Sequence, residues 1–391
     1  MMSKLIAYMR PPGWVDGSSY KYYSLLMEHY GGLITPDIKT VPKPDLVICH
    51  GDRWPMYKQP LSRGIPYILV EHDVYSLRTG QFYSDEREKI ENAFAVIFTS
   101  EDHLEYYRSL GFKLPPVGIV PLKPLKKDLV FIRKPKIGGK HLVYAGGLVT
   151  HDRKSSYFGY RAYHGIFKAF IQAGWIVHVY VPGSLRRSFT DYVDIGCIVH
   201  GSLPYSTLLA EISQYTAGLQ SYNRESVPEI AYKYTQLCRP NKLWDYLAAG
   251  IPTIGFQGGN GMEIYRDKWG VVVDNLNKET LRGLDKNLPK ITDEMRFKEN
   301  MDDCMEVFKN FIDEALNSSL EIRPANKVTR ISVSNVKKNI IAVNKTGRMV
   351  ERGNLVFKPL ESKELINIDR SLYMQIKSCS DLEVHYIKGG K

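Results

Sequence analysis

No apolar run in this sequence approaches the ~20 residues a helix needs to cross a bilayer. A spanning helix is therefore not expected, and segment 1–10 reads as a first buried strand rather than a secretory leader. Cysteine is scarce: Cys49, Cys197, Cys238, Cys304 and Cys379 are scattered, odd in number and without metal-ligand spacing. That pattern argues against a disulfide scaffold or a zinc module and points to packed thiols in a reducing compartment, the cytoplasm. No Asp-x-Asp pair stands at a strand end, and the acidic pair Asp302-Asp303 falls in a helical stretch, where it reads as a solvated face. Neither a metal site nor a cofactor is expected. Repeats and low-complexity tracts are also lacking. What remains is an ordinary globular chain, and 391 residues are too many for one core, so two or three domains are expected.

Charge of one sign is in excess and unevenly placed. The formal net charge is +11, and residues 321–391 carry 14 Lys/Arg against 7 Asp/Glu. A basic patch on the tail suits an acidic partner, whether a polymer, a nucleic acid or a membrane surface.

Short apolar runs alternate with helical patterns through most of the chain. Strands are expected at 4–8, 45–50, 66–70, 93–100 and 117–121, with a breaker-rich loop at 11–19 and a helix over 20–30. Continuous apolar strands separated by helices indicate a parallel sheet covered on both faces. The Lys/Pro-rich stretch 123–140 interrupts the series and reads as a linker. A second series follows, with strands at 141–145, 175–181, 197–201, 217–222, 251–256 and 270–273 and helices over 156–173, 205–214 and 241–249. Gly250 is placed to end the last of these helices. Residues 292–316 show one apolar helical face, and beyond Pro324 short strand-like runs at 328–333, 339–344, 354–358 and 372–376 suggest a small β-module. The expected division is a first doubly wound domain at 1–122, a linker at 123–140, a second domain at 141–290, a closing helix at 291–320 and a basic β-module at 325–391. In such sheets a ligand sits outside the carboxyl ends of the strands.

The segment 239–254, RPNKLWDYLAAGIPTI, carries the most chemistry. Asn241 can cap the helix that follows, and Lys242 and Asp245, three apart, share a face of its first two turns. A helix N-terminus offers free N–H groups and positive potential to a pyrophosphate. A carboxylate one turn on can accept from ribose hydroxyls. Taken alone, the pattern also describes a capped helix with a surface Lys–Asp pair.

PNKLWDYLAAGIPTI resembles the donor-site signature of GT-B glycosyltransferases related to family 4. The glycine turn LVYAGGL at 142–148, the segments HGSLPY at 200–205 and AGLQSY at 217–222, and FTSE at 98–101 with Val120-Pro121 occur in the matching order. The resemblance covers about residues 1–315 and implies two Rossmann-like domains facing a cleft, a nucleoside diphosphate sugar as donor, and transfer with retention. The family's two acidic residues eight apart correspond to Leu237 and Asp245 here, and its basic pair after the glycine turn corresponds loosely to Arg153-Lys154. Gly13 and Gly17, in the breaker-rich loop, would let backbone approach the donor phosphates or the acceptor, and the resemblance implies further donor contacts from Gly146, Gly147, Arg153, Gly201, Tyr222, Asn241, Lys242 and Asp245. Arg153 and Lys242 would meet the diphosphate. Glu71-His72-Asp73, at a strand end, should face the cleft, with His72 moving a proton or binding a sugar hydroxyl and Asp73 orienting it or binding the acceptor. An inactive protein of the same fold, a nucleotide-sugar epimerase and a nucleic-acid glycosyltransferase remain alternatives, and the acceptor is left open.

Overall fold

A computed structural model describes residues 4–9, 18–51, 55–74, 76–77, 84–181, 189–225, 227–256 and 261–321, together with six strands between 331 and 386. Gly13 and Gly17 lie outside the described residues.

The first sheet contains β1 (Ile6–Met9), β2 (Leu33–Thr35), β3 (Leu46–His50), β4 (Tyr67–Glu71), β5 (Ala95–Phe98) and β6 (Val117–Ile119). All pairings are parallel, in the order β2-β1-β3-β4-β5-β6. Alternate residues feed two cores. Ala7, Val47, Leu69 and Val96 face one side, while Ile6, Ile48, Ile68 and Ile97 face the other. Burial on both faces is why these strands are continuously apolar rather than alternating. The short β2 is not expected from the sequence, because Leu33-Ile34-Thr35 after Gly31-Gly32 is too short a run to stand out as a strand.

The second sheet contains β7 (His141–Ala145), β8 (Ile176–Tyr180), β9 (Ile198–His200), β10 (Ala217–Ser221), β11 (Thr253–Phe256) and β12 (Gly270–Val273). Its order is β12-β11-β10-β7-β8-β9, again parallel throughout. Chain direction across the sheet reverses between β10 and β7, the topological switch point at which such sheets bind ligands. The ladder there holds only Ala217↔Leu142 and Gly218↔Val143. Beyond it the Tyr246 hydroxyl spans the gap, accepting from the Ala145 N–H at 3.2 Å and donating to the Leu219 carbonyl at 3.2 Å. Gly218 makes this possible, because a Cβ there would lie 2.3 Å from the Tyr246 ring.

The closing helix departs from the single run expected over 292–316. It divides into a helix Asp293–Lys298, a 3-10 turn Asp302–Cys304 and a helix Glu306–Glu321. Asn300 causes the break. Its amide donates to Phe297 O and to Asp303 Oδ2, and its Oδ1 accepts from Asp303 N, replacing helical bonds with local ones. Asp302 and Asp303 are solvent-facing as expected, but on that 3-10 turn rather than along a continuous helix, with the Asp303 side chain 58% exposed. Asp302 accepts from Lys126 N and Asp303 pairs with Lys126 Nζ at 2.6 Å, tying the linker to this turn. Phe308, Ile312, Ala315 and Leu316 then pack into the first domain's core.

Beyond the helix, strands Ile331–Ser332, Lys338–Asn344, Ser362–Ile368 and Leu382–Tyr386 form one mixed sheet, and Val350–Arg352 pairs with Leu355–Phe357. The strand expected at 372–376 lies outside the described residues. Among the described residues no helix is long and apolar enough to cross a membrane.

Candidate functional site

At the carboxyl end of β7 the chain turns through Gly146 and Gly147. The Lys242 ammonium stands 4.1 Å from the Tyr144 ring centroid and 5.9 Å from that of Tyr163. It also lies 3.5 Å from where a Cβ on Gly146 would be, so it faces the turn itself. Tyr144 is fixed from below by donating to Gly147 O at 2.8 Å. Among the described residues Lys242 has no carboxylate partner. On the other flank, a Cβ on Gly147 would lie 3.1 Å from Arg161 Nη1, and the Arg161 guanidinium lies over the Tyr160 ring at 5.3 Å. Nothing in the sequence singles out Arg161. It is a single cation inside the tyrosine-rich stretch FGYRAYHG. Arg153 sits in the exposed 3-10 turn His151–Arg153, and no partner of its side chain is seen among the described residues.

The helix Lys242–Ala249 begins at this turn and ends at Gly250, whose φ of 73° is the left-handed stop expected of it. The expected side-chain cap is absent. Asn241 is itself helical in backbone, at φ −55° and ψ −33°, and its side chain caps nothing. Pro240 O already accepts from Leu243 N, so the helical turn starts before Asn241 and leaves its side chain outside the capping position.

Asp245, one turn on, is held by two donors. Its Oδ1 accepts from the Tyr205 hydroxyl at 2.5 Å and from Lys21 Nζ at 3.4 Å. Lys21 belongs to the first domain, on the helix Ser18–Tyr30, and is buried. It also donates to Leu122 O and lies 4.8 Å over the Tyr205 ring. Burial, then the neighbouring Asp245 carboxylate, pushes the Tyr205 phenol well above its ordinary value. Asp128, on the linker, is raised by burial and partly lowered by Lys21. Lys21 was legible only as one cation in the aromatic run SSYKYYSLL.

Gly201 follows β9 with open space around it, and the neighbouring His200 ring stacks on Tyr180 at 4.3 Å. Tyr222 meets the same Tyr160 ring that the Arg161 guanidinium lies over. The Tyr222 hydroxyl donates to Cys238 Sγ at 3.2 Å, within a cluster that includes first-domain residues. The helix Glu229–Leu237, unforeseen from sequence, brings Tyr234 into the same cluster.

On the first sheet, His72 and Asp73 do follow a strand end. His72 Nε2 and His50 Nδ1 share a 2.6 Å hydrogen bond, and His50 Nε2 is hydrogen-bonded to the Tyr8 hydroxyl. Burial, then the neighbouring His72, holds the His50 imidazole well below its usual range. Asp73 Oδ1 accepts from the Tyr234 hydroxyl of the second domain at 2.8 Å. Glu71 does not face the cleft as expected. It is fully buried and paired with Lys89 at 2.8 Å, and Lys89 also donates to Gly51 O. His103, buried nearby, is lowered to about 4 by burial, against the pull of Asp73.

The second sheet's cleft edge thus offers a glycine turn between two cations and, one turn of helix away, an oriented carboxylate. Such a set suits an anion joined to a group bearing hydroxyls. No protein-family model matches the chain, and no curated protein matches it. Solved structures do. AviGT4, a glycosyltransferase involved in avilamycin A biosynthesis, matches at 13% identity and TM-score 0.50 over 80% of this chain and 98% of its own. The α,α-trehalose 6-phosphate synthase from Burkholderia multivorans matches at 11% and 0.51, over 84% and 100%. Anabaena HepE, solved in complex with UDP-glucose, matches at 10% and 0.51, over 81% and 99%. These likenesses show the fold, the two-domain GT-B architecture.

Proposed function

We propose that this chain transfers a glycosyl group from a nucleoside diphosphate sugar, bound at the carboxyl end of the second sheet, to an acceptor met by the first. The observation that carries the reading is the Lys242 ammonium, set against the Gly146 turn and two tyrosine faces with no carboxylate partner among the described residues. A cation so placed can receive a diphosphate without first giving up an ion pair. Asp245 takes the ribose hydroxyls through Oδ2. Asn241 lies beside the diphosphate at the start of the helix. As the anomeric bond breaks, negative charge grows on the leaving diphosphate, and Lys242, Arg161 and the helix N-terminus stabilise it in place. Arg153 reaches the same group from its exposed turn. His72 and Asp73 are assigned to the acceptor side. Because these cations meet the leaving group, turnover is expected to persist in EDTA. Retention of configuration follows the family resemblance. HepE's complex makes UDP-glucose the first donor to try.

The test is a thermal-shift panel of nucleoside diphosphate sugars, followed by donor hydrolysis. A true donor at ~100 times its Kd adds about 2.7 kcal/mol to stability. If no member shifts the melting transition, the reading is wrong. A second reading, a binding protein that no longer transfers, is favoured by the Tyr234 hydroxyl on Asp73 and by Leu237 at the family's first acidic position. Nucleotide binding without release or transfer of sugar would decide for it.

A further inference from the structure

We propose that Lys21 is a positioning residue of the nucleotide site, acting across the domain boundary by fixing the carboxylate of Asp245. The inference rests on the reading of Asp245 given above. Three observations carry it. Both donors to the carboxylate, Lys21 and Tyr205, converge on the same oxygen, Oδ1. That leaves Oδ2 with no hydrogen bond among the described residues, on a side chain 15% exposed. A carboxylate gripped at one oxygen has lost its rotation and presents the other in a set direction, which is what a vicinal diol needs. Second, Lys21 is itself held. Its side chain is 3% exposed, its ammonium lies over the Tyr205 ring, and Leu122 O accepts from it. Third, Lys21 comes from the first domain and Asp245 from the second, so the grip exists only while the two domains are together. Affinity for the ribose is thereby coupled to domain closure, through one ion pair rather than through the bulk of the interface.

Lys21 therefore contributes to recognition of the ribose hydroxyls and little to recognition of the diphosphate. The full-length protein is titrated calorimetrically with UDP, GDP and ADP, and the tightest binder is compared with its 2′,3′-dideoxy analogue. Wild type should prefer the ribonucleotide by about tenfold or more, the scale of a hydrogen bond to a charged group. Lys21→Met should cut that preference to about twofold or less, with affinity for the dideoxy analogue unchanged, and Lys21→Arg should restore most of it. A merely structural lysine would lower both affinities together. Tyr205→Phe removes the other donor, keeps the ring under the ammonium and should also reduce the preference, so it carries the test if Lys21→Met does not fold. An unchanged ribose preference in Lys21→Met, or tighter binding, overturns the proposal, the latter by making the ion pair a competitor of the ligand. A wild type that binds nucleotide without preferring ribose overturns it too, while leaving the Lys242 site standing. A wild type that binds no nucleoside diphosphate removes the underlying reading and this inference with it.

Discussion

The two sheets are built alike, six parallel strands each, yet their carboxyl ends use polar side chains in opposite ways. At the first, charged and polar groups are turned on one another: Glu71 on Lys89, His72 on His50 and His50 on Tyr8. At the second, Lys242 faces aromatic rings and a glycine turn, and both donors to Asp245 meet Oδ1, leaving Oδ2 without a hydrogen bond among the described residues. The second sheet also has polar groups turned on one another, such as Tyr180 on Tyr215 and His178 on His200, so the contrast rests on Lys242 and Asp245. Substitution at the buried Glu71–Lys89 pair should therefore act on stability, and substitution at Lys242 on nucleotide binding.

The largest effect is expected at the buried ion pair. Lys89→Met removes the ammonium that pairs with the buried Glu71 carboxylate, and a buried pair broken on one side typically costs about 3–5 kcal/mol. Urea unfolding of the variant should show that loss. A change below about 1 kcal/mol would mean that water reaches Glu71 and that the first half is not sealed as described.

Acid should act next. His103 has its folded pKa lowered to about 4, against 6.5 for the free imidazole, because burial disfavours the cation. Between those values the unfolded chain binds a proton that the folded chain does not, so stability falls as pH drops from about 6.5 and levels off below about 4. At full expression this one group accounts for about 3 kcal/mol. His178 in the second sheet is lowered to about 4 by burial and by the flanking His141 and His200, and adds in the same direction. His103→Gln should flatten part of the pH dependence of the melting temperature. An unaltered profile would place the acid-sensitive group elsewhere.

Lys242→Met tests the other side of the comparison. Removing a charged partner of the diphosphate should weaken nucleotide binding by about 1.5–3 kcal/mol. The melting temperature of the free protein should barely move, because the lysine makes no ion pair among the described residues. A large loss of stability with unchanged affinity would overturn the role assigned to Lys242.

The strand framework beneath this contrast is legible in the sequence, and the reason is periodicity. Strands buried on both faces announce themselves as apolar runs, which is why β3, β4, β7 and β12 fell within a residue of expectation. Lys242 and Asp245 could be found because a helix spacing and a family pattern coincided there. What was missed depends on contacts between distant parts of the chain. Nothing local tells Glu71, which closes on Lys89, from His72 one residue on. Lys21 acquires its role from a residue 224 positions away. Arg161 stands by the glycine turn through the fold of an irregular stretch, not through a regular spacing that could be read. The capping expected of Asn241 failed for a local reason, since the preceding Pro240 carbonyl had already opened the helix.

The smallest expected effect on nucleotide binding lies outside both halves. The GT-B core has a natural last element in the helix Glu306–Glu321, whose Phe308, Ile312 and Leu316 close the first domain's core. Lys4 Nζ donates to Leu316 O at 2.7 Å, so the end of that helix is bound back to the start of the chain. The stretch after it holds the basic excess, 14 Lys/Arg against 7 Asp/Glu over 321–391. We propose that residues 325–391 form a module that holds an acidic partner or acceptor and takes no part in bond breaking. A chain ending at Glu321 should then fold, bind the nucleotide within about twofold of the full chain, and lose a salt-sensitive attraction, since exposed charges are screened beyond about 10 Å at 0.1 M salt. Retention on immobilised heparin, run against a salt gradient, reads the second effect, and calorimetry reads the first. Should the shortened chain remain folded by circular dichroism yet bind nucleotide much more weakly, the tail belongs to the site. The contrast between Lys242 and the Glu71–Lys89 pair would then have a third participant. Equal retention of both chains on heparin would instead place the attractive charge on the two sheets' own surfaces and leave the module without a proposed partner.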